Sequence, residues 1–315
     1  MKRRAYLKAS GGLAALSVAG LSGCVGAPRA DDARLRWFVS PPLFEDELEH
    51  YVGFATRPNS IAAERDHLDQ EIWSDYEAAY LDWAAADPTA EDVELLLTIG
   101  NGDAFASIAQ HTLGADDIVE HIEAEGLETA ESRNGFRRYS SGDGTEARAV
   151  TNTQYLSVTS PAGALDAVDA LVDSSRGAVA RYHEVDANVR TVLNEIGEHQ
   201  TYRFRGMPEQ VNVSVAAAFD DEDTDPTERG VFEGAVARGM GSTLEDGQLR
   251  ATYVEVFASE AAAEEADVET FIESDQHPLF AGATDITSRI ENSVSFIEWT
   301  ADSEQVTLAT LLGQV

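Results

Sequence analysis

Apolar residues recur along this 315-residue chain with two periods. Between Ile61 and Trp83, the residues Leu68, Ile72, Trp73, Tyr76, Ala79, Tyr80 and Trp83 return every three or four positions. Asp66, Asp69, Asp75, Glu77 and Asp82 fall elsewhere on the wheel, so the segment predicts an amphipathic helix that Asp87-Pro88 ends. Further helices are predicted over 116–125, stopped by Gly126, and after Ser160-Pro161, with Leu165, Val168, Leu171 and Val172 on one side. Two more cover 178–196, stopped by Gly197, and the stretch from Ser259-Glu260 to Ser274. Asp103 is placed to cap a short helix after the turn Gly100-Asn101-Gly102.

Alternation with period two predicts strands at Leu35–Val39, at Val93, Leu95, Leu97 and Ile99, and over 132–140, 146–159, 211–219 and 249–258. Gly142-Asp143-Gly144 and Glu245-Asp246-Gly247 read as hairpin turns. Hairpins mixed with helices imply an α+β fold of antiparallel hairpins packed with helices. Strand, Gly/Asp turn, strand ending in serine and helix recur when Ser160 is aligned with Ser259. That recurrence suggests two ferredoxin-like units after an N-terminal aromatic-rich helix. The boundaries read from the pattern are 1–23, 24–34, 35–88, 89–206 and 207–315.

Charge changes the picture first at the N-terminus. Residues 1–8 carry Lys2, Arg3, Arg4 and Lys8, and residues 9–23 carry no charge. A positive end, a short apolar run and a small-residue exit describe an export signal, and the run is too short and Gly-rich to span a bilayer. It closes on Leu21-Ser22-Gly23-Cys24, which holds the single cysteine of the chain. Within one chain that thiol has no disulfide partner. The Arg3-Arg4 pair resembles a twin-arginine export signal. Leu21, Ser22, Gly23 and Cys24 resemble the lipobox of exported lipoproteins, in which the thiolate accepts the lipid. The resemblance implies cleavage before Cys24, a lipid there, and a tether over 24–34. Two acyl or isoprenoid chains on one glycerol would hold the protein firmly, where one is marginal.

All 57 acidic residues follow Cys24, facing 18 Arg, and no lysine occurs after Lys8; the processed chain carries −39. The acids sit on periodic apolar segments, so disorder is not implied. At molar salt the screening length is about 3 Å, and dense carboxylates then repel little while keeping the surface hydrated. The composition resembles that of haloarchaeal proteins. Together with the signal, the chain resembles a twin-arginine-exported haloarchaeal lipoprotein. That implies a place, the outer face of the cell membrane, with the membrane engaged through the lipid on Cys24, and no activity. So acidic a chain is not a nucleic-acid binder.

Candidate chemistry is sparse. Gly100-Asn101-Gly102-Asp103-Ala104-Phe105 lacks the third small residue of a dinucleotide fingerprint, and Asp103 would face the phosphates. Asp221, Asp223 and Asp225 have calcium-loop spacing, but Pro226 and Phe232 stand where Gly and Glu are required. None of His50, His67, His111, His121, His183, His199 and His277 forms an HExxH pair, and no GxSxG elbow occurs. No metal or cofactor is therefore expected. Trp73, Tyr76, Tyr80 and Trp83 could line a ligand groove, although such spacing usually marks core. Asn212-Val213-Ser214 matches a glycosylation sequon inside a predicted strand.

One window differs from the rest. Residues 133–205 hold nine Arg (133, 137, 138, 148, 176, 181, 190, 203 and 205) and nine acids. Either these charges pair within a shielded centre, or they form a patch for an anionic ligand or partner. Arg203 and Arg205 alternate with Tyr202 and Phe204, so on a strand they share a face. The sequence therefore favours a lipid-anchored binding or interaction module over an enzyme, with the ligand or protein partner unidentified. The alternatives are an exported hydrolase-type enzyme with a dispersed site and a solute-binding lipoprotein of a transporter. Cys24→Ser should abolish lipidation and membrane partitioning, read by the mass of the mature N-terminus. Wild-type protein with an unmodified Cys24, or with residues 1–23 still attached, would overturn the lipid. Normal export of the Arg3→Lys plus Arg4→Lys variant would remove the twin-arginine reading alone.

Overall fold

The structure, a computed structural model, describes residues 34–40, 51–80, 88–100, 104–211, 233–273, 278–280 and 282–312. Cys24, Arg3, Arg4, Leu21, Ser22 and Gly23 lie outside the described residues, as do the acidic stretch 220–228, Asn212, Trp83 and Asp103.

The described strands are β1 (Tyr51–Thr56), β2 (Val93–Gly100), β3 (Phe105–His111), β4 (Glu128–Arg133), β5 (Phe136–Ser140), β6 (Glu146–Val150), β7 (Gln154–Thr159), β8 (Thr201–Val211), β9 (Ala235–Glu245), β10 (Gln248–Phe257), β11 (Ala283–Glu291) and β12 (Val294–Asp302). They form one 12-stranded sheet in the order β11-β12-β10-β9-β8-β1-β2-β3-β7-β6-β5-β4, antiparallel at every pairing. The helices are α1 (Pro58–Ala62), α2 (Gln70–Tyr80), α3 (Ala115–Ala124), α4 (Ala164–Ser175), α5 (Tyr182–Val185), α6 (Ala187–Ile196), α7 (Glu260–Glu264), α8 (Val268–Glu273) and α9 (Leu308–Leu312). The fold is α+β.

Each sheet face carries its own core. The first face packs Phe54, Leu96, Ala109, Tyr155, Met240, Tyr253 and Trp299 under α1, α2, α3, α7, α8 and α9. The second packs Leu97, Ile108, Leu156, Tyr202, Phe204 and Val256 under α4, α5 and α6. These last three helices carry the chain from β7 back to β8, across β3, β2 and β1. A strand buried on both faces needs apolar residues at successive positions, as Leu95, Leu96 and Leu97 show.

One continuous sheet replaces the expected pair of ferredoxin-like units. In such a unit a helix-linked pair of strands has one strand between its members. Here β1 and β2, linked through α1 and α2, are direct neighbours, and β7 and β8 stand four places apart. The 206/207 boundary falls inside β8, and β1, from the expected N-terminal segment, sits in the middle of the sheet. A different repeat is present. Three-strand meanders β1-β2-β3 and β8-β9-β10 each lead into helices on the first face, α3 and α7–α8, before the chain returns to the sheet. The Ser160 and Ser259 helices pack on opposite faces, so that alignment does not describe it.

Local departures have local causes. Leu35–Trp37 is a 3-10 turn rather than a strand, with a single bridge from Val39 to Arg181. Trp37, Phe38 and Val39 are all buried, which alternation cannot achieve. The 61–83 helix is broken at Leu68, which is extended, and restarts where the Asp69 carboxylate accepts from the Glu71 amide at 2.7 Å. Asn134-Gly135, both at positive φ, turn the expected 132–140 strand into the hairpin β4–β5. Asp186 caps α6 by accepting from the Asn188 and Val189 amides, which splits the 178–196 helix. After Gly100-Asn101-Gly102 comes β3, not a helix, so the phosphate-loop reading lacks its helix.

Gly53 lies opposite Phe204 in the β1–β8 pairing, and a Cβ there would meet the Phe204 ring at 2.3 Å and the Phe38 ring at 2.8 Å. Those rings are held edge to face at 4.8 Å. Gly53→Ala should destabilise the protein by about 1–3 kcal/mol, the usual cost of overpacking. Denaturant unfolding in molar potassium chloride measures it, and an unchanged midpoint would show that the rings can yield.

Candidate functional site

Most of the arginine-rich window is structural. Arg133 pairs with Asp169 and with Asp173 (2.9 Å), Arg138 with Asp169 (2.6 Å), and Arg137 with Asp116 (3.0 Å). Arg148 approaches Glu125 and Glu146, and Arg181 approaches Glu184. Arg176 donates to the Asn134 carbonyl, and Arg190 to the carbonyls of His183 and Glu184. These bonds tie α4 and α5 to their neighbours. Arg203 and Arg205 belong to a different set.

On β8 the two arginines face the first core, opposite Phe54 and Val52 of β1. Register then adds residues that sequence alone did not single out. Arg205 pairs with Arg238 of β9, Arg238 with Glu255 of β10, and Glu255 with Ser295 of β12. One row of side chains therefore crosses the sheet as Ser295, Glu255, Arg238, Arg205, Val52, Gly100 and Phe105. Burial falls along it: Glu255 is 0% and Arg238 8% exposed, Arg205 and Val52 are half-buried, and Phe105 is 47% exposed. The row opens to solvent at its Phe105 end and closes at Glu255. Tyr253, two positions before Glu255, adds its hydroxyl, and the α8 residue Phe271 lies against its ring at 6.0 Å.

The electrostatics follow from burial and from two guanidinium groups, Arg238 and Arg205, acting on one carboxyl. Glu255 Oε1 stands 3.5 Å from Arg238 Nε, and the Tyr253 hydroxyl donates to Glu255 Oε2. Burial pushes the Glu255 carboxyl up to about 7, with Arg238, the Tyr253 hydroxyl and Arg205 pulling the other way. Burial lowers Arg238, but Glu255 and Tyr253 outweigh it and leave that guanidinium above its ordinary value. Arg205 is lowered by burial and then by repulsion from Arg238 and Arg203, with Glu255 offsetting part of it. Its Nε is buried with no hydrogen-bond partner among the described residues. Neighbouring guanidinium groups of this kind can donate to an oxyanion.

The other sequence candidates resolve differently. Trp73 and Tyr76 are buried and stacked at 5.7 Å, so they are core; the Tyr80 side chain lies outside the described residues. His121 Nε2 meets Glu125 at 3.1 Å along α3. His199 Nδ1 lies 2.9 Å from Thr243 Oγ1, and burial with Arg34 lowers its pKa to about 4. Its ring packs on the backbone of Gly241, where a Cβ would come within 2.3 Å, leaving no room for a substrate there. Among the described residues no group of three or more His, Cys, Asp or Glu could hold a metal ion, and no helix is long and apolar enough to cross a membrane. An open cleft of about 460 Å³ beside the start of α3 is lined by Asp116, Arg137 and Asn152, among others, and its two charges neutralise each other.

Arg238 and Glu255 were legible only in part. Alternation over 249–258 puts Leu249, Ala251, Tyr253, Glu255 and Phe257 on one face, and an acid on that apolar face was the available signal. Arg238 lies among glycines and alanines that hide the strand.

Because native Glu255 binds its proton up to about pH 7 and an unfolded carboxyl only to about 4.5, the native state holds the extra proton between those values. Stability from this group is therefore present at low pH and lost as pH rises through 7. Relative to Glu255→Gln, the wild type should lose roughly 3 kcal/mol between pH 4.5 and 8. Paired denaturant unfolding of the two proteins measures this, and a constant difference would contradict it.

No family model matches the chain, and no curated protein matches it. Among solved structures it is similar to "Structure of crystal form III of TP0453", with a TM-score of 0.50 at 10% identity, over 90% of this chain and 98% of that one. Crystal form I of TP0453 aligns at TM-score 0.46 and 7% identity, over 86% of this chain and 94% of that one. Form IV aligns at 0.45 and 9%, over 84% and 94%. At this identity the likeness to form III extends to the fold alone.

Proposed function

We propose that this chain is a lipid-anchored, outward-facing binding or interaction module of a halophile that works without catalysis, and that the arginine row of β8 and β9 takes its ligand. The observation that carries the reading is the row itself. Arg205 and Arg238 lie side by side, half-buried and buried, on a sheet face that opens to solvent, in a chain of otherwise overwhelming negative charge. Desolvating like charges costs several kcal/mol per ion, and stability alone gives no reason to place them together. Glu255 already stands 3.5 Å from Arg238 Nε, and a ligand bearing an oxyanion group would add a second anion beside Arg205. The histidine contacts, one along the surface of α3 and one packed on Gly241, do not favour the hydrolase reading.

The test uses the full chain in detergent and molar potassium chloride, with inorganic sulfate as probe. Calorimetry near pH 6 should show saturable binding that survives the chloride background, because several guanidinium groups chelate a tetrahedral dianion better than a monatomic ion. Arg205→Gln should weaken it by about tenfold or more, a loss of at least 1.4 kcal/mol. Arg250→Gln, which removes an exposed arginine on β10 paired with Glu245, should not. Absence of saturable binding, or an unchanged Arg205→Gln, would overturn the reading.

A further inference from the structure

Resting on that reading, we infer that Glu255 is the site's built-in competitor, so that an incoming oxyanion displaces it from Arg238 and the protein takes up one proton as the ligand binds. The geometry is that of a loosely held internal anion. Glu255 lies at the closed end of the row, and the half-buried Arg205 and Val52 lie toward its exposed end. Its Oε1 is 3.5 Å from Arg238 Nε, an ion pair without a hydrogen bond. Its other oxygen accepts from Tyr253.

That second contact gives the proton a place. The Tyr253 hydroxyl donates to the ionised carboxylate. Once Glu255 is protonated, its own O–H can donate to the Tyr253 oxygen, which reverses the direction of donation and turns the Tyr253 hydroxyl proton toward another acceptor. Among the described residues, the groups facing Glu255 are Arg238 and, beyond it, Arg205 across the sheet, Tyr253 on its own strand, and Ser295 of β12, which does not titrate in this range. Arg203 adds a third positive charge beside Arg205. With Glu255 ionised, its carboxylate competes for Arg238 and repels an incoming anion; with Glu255 neutral it does neither. The raised affinity of Glu255 for its proton puts this exchange near neutral pH.

Sulfate is suited to the test because it stays a dianion throughout the working range, so any pH dependence belongs to the protein. Full-length wild type in molar potassium chloride is titrated with sulfate between about pH 6 and 8.5. Buffers of different ionisation enthalpy count the protons taken up. Uptake should approach one proton per sulfate at the alkaline end and vanish at the acid end. Affinity should be up to about 30-fold tighter at pH 6, the ratio set by the fraction of protein with Glu255 neutral when its pKa is about 7. Glu255→Gln should bind sulfate with one affinity at both pH values and no proton uptake. Saturable binding with no proton uptake in the wild type would overturn the exchange and leave the binding module standing. No saturable binding at either pH would overturn both. If Glu255→Gln fails to fold, the proton count on the wild type decides alone.

Discussion

The pairing of β1 with β8 is the constraint on which the rest depends. Six consecutive residues of β1, Tyr51 to Thr56, lie opposite Gly206 to Thr201, and this seam turns two meanders into one sheet. On the first face Thr56 and Thr201 exchange a hydrogen bond at 3.0 Å, with the Tyr76 hydroxyl 3.4 Å from Thr56. On the second face Phe38, Tyr51, Tyr182 and Phe204 fill the space above Gly53, with Tyr51 and Tyr182 edge to face at 4.6 Å. Gly239 and Gly241 of β9 let α6 and His199 settle against the next strand, since a Cβ at either would meet Ile196 at 2.5 Å. Both cores cross the seam, so neither meander keeps a complete core without the other.

Charge in this chain is spent in two ways. On the surface, arginine pairs with acid at short range: Arg289 bonds Glu291 and Glu298 on the β11–β12 hairpin, and Arg137 meets Asp116. Exposed pairs contribute little each, and at molar salt still less. Contacts of this kind suit a protein whose many remaining carboxylates face water. Inside, the Arg238–Glu255 pair is removed from bulk screening, and there the balance of burial against attraction decides protonation.

The α+β class, β2, the hairpins at Gly142–Gly144 and at Asp246-Gly247, and the helix stops at Gly126 and Gly197 were legible because each depends on a local rule: alternation, positive φ or a cap. The sheet order was not, because β1, β8 and β9 reach their places through pairings between distant parts of the chain. Breaks at Leu68, Asn134 and Asp186 carried signals that competed with longer periodic runs and were outweighed by them. The shared face of Arg203 and Arg205 followed from period two. Their meeting with Arg238 and Glu255 is a matter of register between β8, β9 and β10, which no local pattern encodes.

The repeat of the two meanders makes the arginine row informative. Centring a two-fold on the Phe54–Arg203 pair carries β8-β9-β10 onto β1-β2-β3 and the row Arg205–Arg238–Glu255 onto Thr56–Leu96–Ala109. These positions are equivalent in register, lie on the same face, and sit under helices that follow the meander in the same way. In one half they are a hydroxyl and two apolar side chains, which is what packing at that place requires. In the other they are two arginines and a glutamate, of which the glutamate is wholly buried and pushed toward neutrality. Since the fold is satisfied by Thr56, Leu96 and Ala109 at the equivalent places, architecture does not demand the charges. An unfavourable desolvation kept in one half and absent from the other is the asymmetry that the proposed ligand site would account for.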